Sequence, residues 1–123
     1  MIVGIGVDIA SIHRIGQYIT RDAFQRRIYT PLELEACMPL RKKAQCLAGK
    51  FAAKEAFMKA IGSGIHQAVW FTQIEVLNLE TGEPYIKLSG EAERRFNQLK
   101  VSRIYVSISH DLDTAVAVVI LEK

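Results

Sequence analysis

The chain has 123 residues, of which 50% are hydrophobic and 24% charged, and its formal net charge is +3. This composition excludes a disordered chain, and the length favours a single domain over residues 1–123. No apolar run approaches the roughly 18 residues that span a membrane. The apolar N-terminal segment is interrupted at Asp8, and no basic residues precede it, which argues against a signal peptide. We therefore expect a soluble, cytoplasmic protein whose mild positive charge suits an acidic partner.

The first predicted element is a strand over residues 1–9, because apolar residues alternate there. Gly4 and Gly6 fall on the same face of this strand as Asp8. Glycines inside a strand often mark the close approach of a ligand or of another backbone. Asp8 therefore either faces a ligand or simply ends the strand ahead of a helix, and for a lone aspartate the second case is the commoner one.

Ser11 is predicted to cap a helix with an isoleucine stripe on its inner side. Arg14 then faces outward and Arg21 follows it, so both belong to an arginine-rich outer surface. Such charged side chains usually only face the solvent, but the planar guanidinium group of arginine can also form paired hydrogen bonds with carboxylates and phosphates.

A second helix is predicted to start after Thr30, with proline at its first position and Glu33 at its third. It should end before Pro39. The two cysteines, Cys37 and Cys46, fit neither a zinc pattern nor a disulfide framework, so we expect buried or idle thiols.

A long helix is predicted over residues 44–60, where strong helix formers dominate, and Gly62 ends it. Glu55 projects into the apolar face of this helix, so its carboxylate is partly withdrawn from water and needs a partner. One partner is Lys59, four residues later, in an ordinary intrahelical pair. The alternative is that Glu55 binds a metal ion, with lysines nearby to receive an anion. These lysines are Lys50, Lys54 and Lys59.

Four further strands are predicted, over residues 71–79, 85–88, 103–109 and 115–121. The last strand is apolar on both faces and should be central or covered. A helix capped by Ser89 lies between the two strand pairs. Helices grouped against strands that are mostly joined by hairpins predict an α+β domain, with a mostly antiparallel sheet packed against helices. His110, at a strand end, is either a turn residue or part of a ligand site.

Three separated segments resemble the motifs of one family. They are Gly-Ile-Gly-Val-Asp-Ile at 4–9, Phe-Ala-Ala-Lys-Glu-Ala-Phe at 51–57 and Val-Ser-Ile-Ser-His at 106–110. Together they resemble the short, bacterial-type branch of the 4′-phosphopantetheinyl transferases, the holo-[acyl-carrier-protein] synthases. Each motif alone is weak, but their order, their spacing and the total length all fit, so the resemblance covers essentially the whole chain.

The resemblance implies transfer of the phosphopantetheine arm of coenzyme A to a serine of an apo acyl carrier protein, in support of fatty acid biosynthesis, with release of adenosine 3′,5′-bisphosphate. It implies that Asp8 and Glu55 are catalytic and bind Mg²⁺. Lys59 would be catalytic and bind coenzyme A beside the phosphates. The residues implied to hold the nucleotide portion are Gly82, Pro84, Ser109 and His110.

The resemblance also implies that Arg14 and Arg21 meet an acidic helix of the carrier protein, and that the chain forms a homotrimer with active sites between subunits. Attack by a serine hydroxyl on the β-phosphorus depends mainly on positioning and charge neutralisation. Mg²⁺ typically takes one or two carboxylates, plus waters and substrate phosphates. The serine proton can pass to a metal-bound water or to a nearby carboxylate, and the sequence leaves both open.

Two positions depart from the family pattern. Met58 stands where relatives often carry a small polar residue, and Glu83 replaces a common lysine, which predicts weaker nucleotide affinity. A rival hypothesis is a non-catalytic module that binds an acidic protein or nucleic acid through its arginines, with salt-sensitive binding and no magnesium dependence. The aromatic residues resemble core residues more than stacking platforms, so we expect no nucleic acid partner, and no membrane partner either.

Overall fold

Helices and mostly hairpin-joined strands share the chain, which confirms the predicted α+β class. The computed structural model describes residues 1–62 and 68–123. Within these residues the elements are, in order, β1 (Ile2–Ser11), α1 (Ile12–Tyr18), α2 (Asp22–Ile28), α3 (Pro31–Cys37), α4 (Lys43–Ile61), a 3₁₀ helix (Ala68–Gln73), β2 (Ile74–Asn78), β3 (Pro84–Leu88), α5 (Gly90–Gln98), β4 (Arg103–Asp111) and β5 (Thr114–Glu122). No helix in these ranges is both long enough and apolar enough to cross a membrane.

The strands form two antiparallel sheets, a three-stranded sheet in the order β1-β5-β4 and a hairpin of β2 and β3. The apolar strand β5 is the central strand of the larger sheet, as predicted. Its residues alternate between fully buried positions on one face and half-buried positions on the other. The larger sheet therefore has one face in the core and one face that is only partly covered.

Helix α4 lies against the buried face of the larger sheet, and two glycines of β1 make this close approach possible. A Cβ atom on Gly4 would lie 2.0 Å from the carbonyl oxygen of Ala60, and one on Gly6 would lie 2.0 Å from that of Ala56. The glycines thus admit the backbone of a helix, so the close approach that strand glycines often mark is here that of another backbone. Their close packing brings the first half of β1 beside the last turns of α4.

Two of the three predicted side-chain caps are present, whereas Ser89 stands at the N-cap of α5 without a capping hydrogen bond, because Gln73 Oε1 accepts from the Ala92 amide there instead. The Ser11 side chain accepts a hydrogen bond from the Arg14 amide, and Thr30 forms a capping box with Glu33 at the start of α3. Helix α3 ends before Pro39, and Gly62 ends α4 with a φ of 109°. These termini were predictable because capping depends on a few neighbouring residues.

Helix α4 differs from its prediction, because it is buried around most of its circumference instead of on one face. The sheet covers one side, while α1, α3 and β2 cover others. Even Lys50 and Lys54 are buried. Helix α2 was not predicted, and the first part of the predicted strand 71–79 is a 3₁₀ helix.

The expectation of two idle thiols was wrong. Cys37, the last residue of α3, forms a disulfide with Cys46, in the first turn of α4, and their Cα atoms are 5.6 Å apart. The spacing of two cysteines does not reveal this contact, because it arises from the turn that folds α3 back onto α4.

Candidate functional site

Asp8 in β1 is in direct contact with Lys59 in the last turn of α4. The Lys59 ammonium donates hydrogen bonds to Asp8 Oδ1 at 2.8 Å and to the main-chain oxygen of Val7 at 3.1 Å. The Lys59 side chain is 58% exposed and the Asp8 side chain 12%, so the lysine remains accessible to a ligand. Among the described residues, Lys59 forms its ion pair with Asp8, and the predicted intrahelical pair with Glu55 is not made.

Glu55 is half-buried beside the same aspartate. Its pKa is raised to about 8, first by burial and then by the adjacent Asp8 carboxyl, while Lys59 opposes the shift. Asp8 Oδ2 is buried and has no hydrogen-bond partner among the described residues. Two adjacent ionised carboxylates repel each other, and neither can donate a hydrogen bond to the other. The arrangement therefore favours a proton on one carboxyl or a further cation in addition to Lys59.

The donor set of this pair fits Mg²⁺. Two carboxylates and an unpartnered oxygen suit a hard cation, which takes its remaining ligands from waters and phosphates. In the described parts of the chain, no group of three or more His, Cys, Asp or Glu side chains is placed to hold a metal ion. A structural zinc site would require about four such ligands, so Asp8 and Glu55 suit Mg²⁺ better than zinc.

A second group of predicted residues meets at a cleft of about 170 Å³, where Gly82, Pro84 and His110 come together. His110 lies against α4 at Gly49, where a Cβ atom would be 3.0 Å from the imidazole Nε2. The remaining lining residues, which were not predicted to belong to this site, are Cys46, Gly49, Lys50, Asn78 and Ile108. The sequence signal for the close approach of His110 to α4 was Gly49, a glycine inside a helix pattern and next to Lys50.

Lys50 carries positive charge into the cleft. Its ammonium donates to the main-chain oxygen of Val76 at 2.6 Å and to Asn78 Oδ1 at 3.0 Å. Burial lowers the pKa of Lys50, while Glu33 and Glu75 oppose that change. None of the lining residues identified in the described chain is acidic, so the cleft suits an anionic ligand.

Lys54 does not serve as an anion site. It pairs with Glu33 at 2.7 Å, both side chains are 0% exposed, and it also donates to the main-chain oxygen of Phe71. The prediction that this lysine receives an external anion was wrong, because the sequence does not show that Glu33 is buried against it. This pair joins α3 to α4.

The acidic pair and the cleft lie along one helix. Gly49 and Lys50 face the cleft and Glu55 and Lys59 face Asp8, and at 1.5 Å per residue Gly49 and Glu55 are about 9 Å apart along the axis. The axial distance is short, but at 100° per residue Gly49 and Glu55 point about 120° apart and Lys50 and Lys59 about 180° apart, so the two groups lie on different sides of α4.

Three predicted residues lie outside these two groups. Ser109 pairs with Val116 in the sheet and is exposed, and it is not among the residues that line the cleft. Because strand residues alternate, Ser109 faces away from α4 whereas His110 faces toward it. Arg14 on α1 and Arg21 before α2 are both exposed. The roles of Ser109, Arg14 and Arg21 stay predictions.

Comparison with known proteins gives a consistent result. A family model described as the 4′-phosphopantetheinyl transferase superfamily matches residues 4–118. The holo-[acyl-carrier-protein] synthase of Trichlorobacter lovleyi is 44% identical over 124 residues, covering 99% of this chain and 98% of the relative. The crystal structure of the Neisseria meningitidis synthase has a TM-score of 0.88 at 40% identity and covers 100% of both chains. The Helicobacter pylori synthase in complex with coenzyme A has a TM-score of 0.82 at 33% identity, covering 96% of this chain and 99% of that one.

Proposed function

Because the chain belongs to the holo-[acyl-carrier-protein] synthases of the 4′-phosphopantetheinyl transferase superfamily, we propose a mechanism in which two groups of residues carried by helix α4 act on coenzyme A, the acidic pair on its phosphates and the cleft on its nucleotide portion. The reaction is transfer of the 4′-phosphopantetheine arm of coenzyme A to a serine of apo acyl carrier protein, with release of adenosine 3′,5′-bisphosphate. The serine oxygen forms a bond to the β-phosphorus as the bond from that phosphorus to the bridging oxygen breaks.

The observation that carries the mechanism is the buried Asp8 Oδ2 beside Glu55 and Lys59, which has no hydrogen-bond partner in the part of the chain that the structure describes. Asp8 and Glu55 would hold Mg²⁺, which when bound neutralises charge on the pyrophosphate. Lys59 is held by Asp8 and by the Val7 carbonyl, so its position is fixed before the substrate arrives. Its ammonium can then stabilise the negative charge that develops on the phosphoryl oxygens.

The cleft binds the nucleotide portion in this mechanism. Lys50 provides positive charge for a phosphate, while Gly82 and Pro84 contribute uncharged turn residues and His110 an imidazole. One chain offers only about 170 Å³ there, below the roughly 300 Å³ of a small ligand pocket. The nucleotide therefore requires a further wall, which another subunit can supply.

We further propose that this wall comes from a homotrimer built on the outer face of the larger sheet. Across β1 and β5, apolar side chains pair on that face: Ile5 with Ile120, Val7 with Val118, and Ile9 with Val116. Ile5, Val7 and Ile9 are each more than half exposed in one chain, and a continuous apolar face of this kind is typical of an interface. Ser109 lies on the same face, so in this arrangement its predicted contact with the nucleotide would be made across the subunit interface.

The carrier protein would meet the exposed arginines of the first helices. Arg14 lies one turn from the start of α1, and Arg21 immediately precedes α2. Guanidinium groups on exposed helix ends are suited to an acidic helix, and such surface charges mainly increase the rate of encounter.

The test is the intact mass of an apo acyl carrier protein after incubation with the enzyme, coenzyme A and Mg²⁺. We expect a gain of one phosphopantetheine arm, with no gain in a parallel reaction containing EDTA. A gain that persists in EDTA would overturn the magnesium proposal and leave the transfer standing. No gain with several carrier proteins, combined with salt-sensitive binding of an acidic protein, would favour the non-catalytic module.

A further inference from the structure

The Asn78 side chain links the two walls of the cleft. Its Oδ1 accepts a hydrogen bond from the Lys50 ammonium at 3.0 Å, and its Nδ2 donates to the main-chain oxygen of Gly82 at 2.9 Å. Lys50 belongs to α4, and Gly82 belongs to the turn that joins β2 to β3. One exposed amide at the end of β2 therefore connects the helix to the turn.

Only one orientation of the Asn78 amide satisfies both partners. The Lys50 ammonium can only donate, so it requires the amide oxygen, and the Gly82 carbonyl can only accept, so it requires the amide nitrogen. An aspartate would lack the donor, and a leucine of similar size would lack both groups. The position is thus chemically specific even though its side chain is not in the core.

The turn has its own internal bonds, but these fix its shape and not its distance from α4. Leu79 donates to the main-chain oxygen of Glu83 and Gly82 donates to that of Leu79, both at 2.9 Å. Gly82 has a φ of 99°, which a residue with a side chain rarely adopts. Strand β2 is anchored separately, because the Val76 amide donates to Glu33 and the Val76 carbonyl accepts from Lys50. Among the described residues, the Asn78 side chain makes the hydrogen bonds that connect the turn after β2 to α4.

We propose that Asn78 is a positioning residue that holds the Gly82-Glu83-Pro84 turn at the distance from Lys50 that the nucleotide of coenzyme A requires. The proposal rests on the function proposed above. Removing the amide frees the turn to move away from α4 and reduces contacts to a part of the substrate that does not react. Such contacts contribute equally in the ground state and in the transition state, so their loss raises KM and leaves kcat unchanged.

The test compares Asn78→Ala with Thr81→Ala, which removes a hydrogen bond from Thr81 to Glu83 within the same turn and leaves the tie to α4 intact. For Asn78→Ala we expect KM for coenzyme A and the Kd for adenosine 3′,5′-bisphosphate to rise about 5-fold, with kcat within about twofold of wild type. We also expect faster amide hydrogen exchange at residues 79–83 without ligand. Thr81→Ala should resemble wild type in all three measurements.

Two outcomes would overturn the proposal. One is a lowered kcat with KM unchanged, which would place Asn78 in the chemical step. The other is a lowered melting temperature with wild-type KM, nucleotide affinity and exchange at the turn, which would leave only a contribution to stability. The wild-type reaction tests the proposed function separately: without transfer or nucleotide binding by the wild type, that function fails, while the exchange comparison still decides whether Asn78 restrains the turn.

Discussion

The two oxygens of the Asp8 carboxylate have different environments, and this difference defines the acidic pair. Oδ1 accepts a hydrogen bond from Lys59, whereas Oδ2 is buried beside Glu55 and has no partner in residues 1–62 and 68–123. Burying an ionised oxygen without a partner is costly, so natural proteins retain such an arrangement mainly where a ligand completes it. The arrangement is therefore better suited to holding a cation than to stabilising the empty chain.

Removing either carboxylate charge should abolish most of the activity. For Asp8→Asn and Glu55→Gln we expect kcat to fall by about 100-fold or more, because charge neutralisation at the transferred phosphoryl group is lost. Binding of Mg²⁺, measured by calorimetry without coenzyme A, should weaken in both variants. Glu93→Gln, at an exposed position on α5, is the matched control. Full activity in either site variant would remove that residue from the metal site.

The acidic pair also predicts how the stability of the metal-free protein depends on pH. The pKa of Glu55 is about 8 in the folded chain against an ordinary value of 4.5, so the folded state binds more protons between these values. The free energy of unfolding should therefore decrease as the pH rises through about 8. Melting temperatures in EDTA should show this decrease, and Glu55→Gln should reduce it. Equal slopes for the two proteins would show that Glu55 does not hold this proton.

The exposed arginine of α1 gives a prediction about the protein substrate. Arg14→Ala should raise KM for the carrier protein about 5-fold and leave KM for coenzyme A unchanged, because this exposed guanidinium is not among the residues that line the cleft. Arg94→Ala, an exposed arginine on α5, serves as the control. A rise in KM for coenzyme A alone would assign Arg14 to the nucleotide instead.

At the scale of elements, α4 is held in place by a buried ion pair that does not take part in the chemistry. Glu33 accepts hydrogen bonds from Lys54, from the Thr30 amide and from the Val76 amide, and Lys54 also donates to Phe71. This network connects α3, α4 and β2. It fixes the helix that carries Glu55 and Lys59, so it determines where both side chains meet Asp8.

Breaking this network at one end should destabilise the fold strongly. Lys54→Met leaves Glu33 buried without its countercharge, and we expect the free energy of unfolding to fall by about 3–5 kcal/mol. Urea denaturation measures this change, with Lys87→Met at an exposed position on β3 as the control. A loss below about 1 kcal/mol would mean that the pair is readily replaced by apolar packing.

Local signals predicted local structure well. The capping residues Ser11 and Thr30, and the glycine end of α4, depend on neighbours within a turn, and the alternation in β1 placed Asp8 toward α4. The chain pattern could not reveal that Glu33 serves as a buried partner as well as a helix cap. Such roles are set by contacts between elements, which a single sequence does not display.

The candidate site likewise contains residues that the sequence identified and residues that it did not. Motif resemblance identified the groups that meet at the acidic pair and three residues of the cleft, including His110. It did not identify Asn78, because an asparagine at a strand end has many ordinary uses, nor the disulfide of Cys37 with Cys46. Both features depend on how the segments before and after α4 fold back onto it.

At the scale of the whole molecule, one face of the larger sheet is left open. Helix α4 covers the glycine side of β1, while the opposite side presents isoleucine and valine in register with β5. Apolar side chains that form a continuous row across a sheet face normally pack against another sheet, a helix or another protein chain. Contact with a second copy would cover this face, on which Ser109 also lies.

A charge introduced on this face tests that arrangement. Val7 is 55% exposed in one chain, so Val7→Glu should cost little in a monomer but would place a carboxylate inside a subunit interface. We expect light scattering to give the mass of three chains for wild type and of one chain for Val7→Glu, with the fold retained. Leu32→Glu, at a position on α3 that is 51% exposed, should stay trimeric. If subunits complete the cleft, the Val7→Glu monomer should also lose affinity for adenosine 3′,5′-bisphosphate, whereas a folded wild-type monomer with full affinity would contradict both statements.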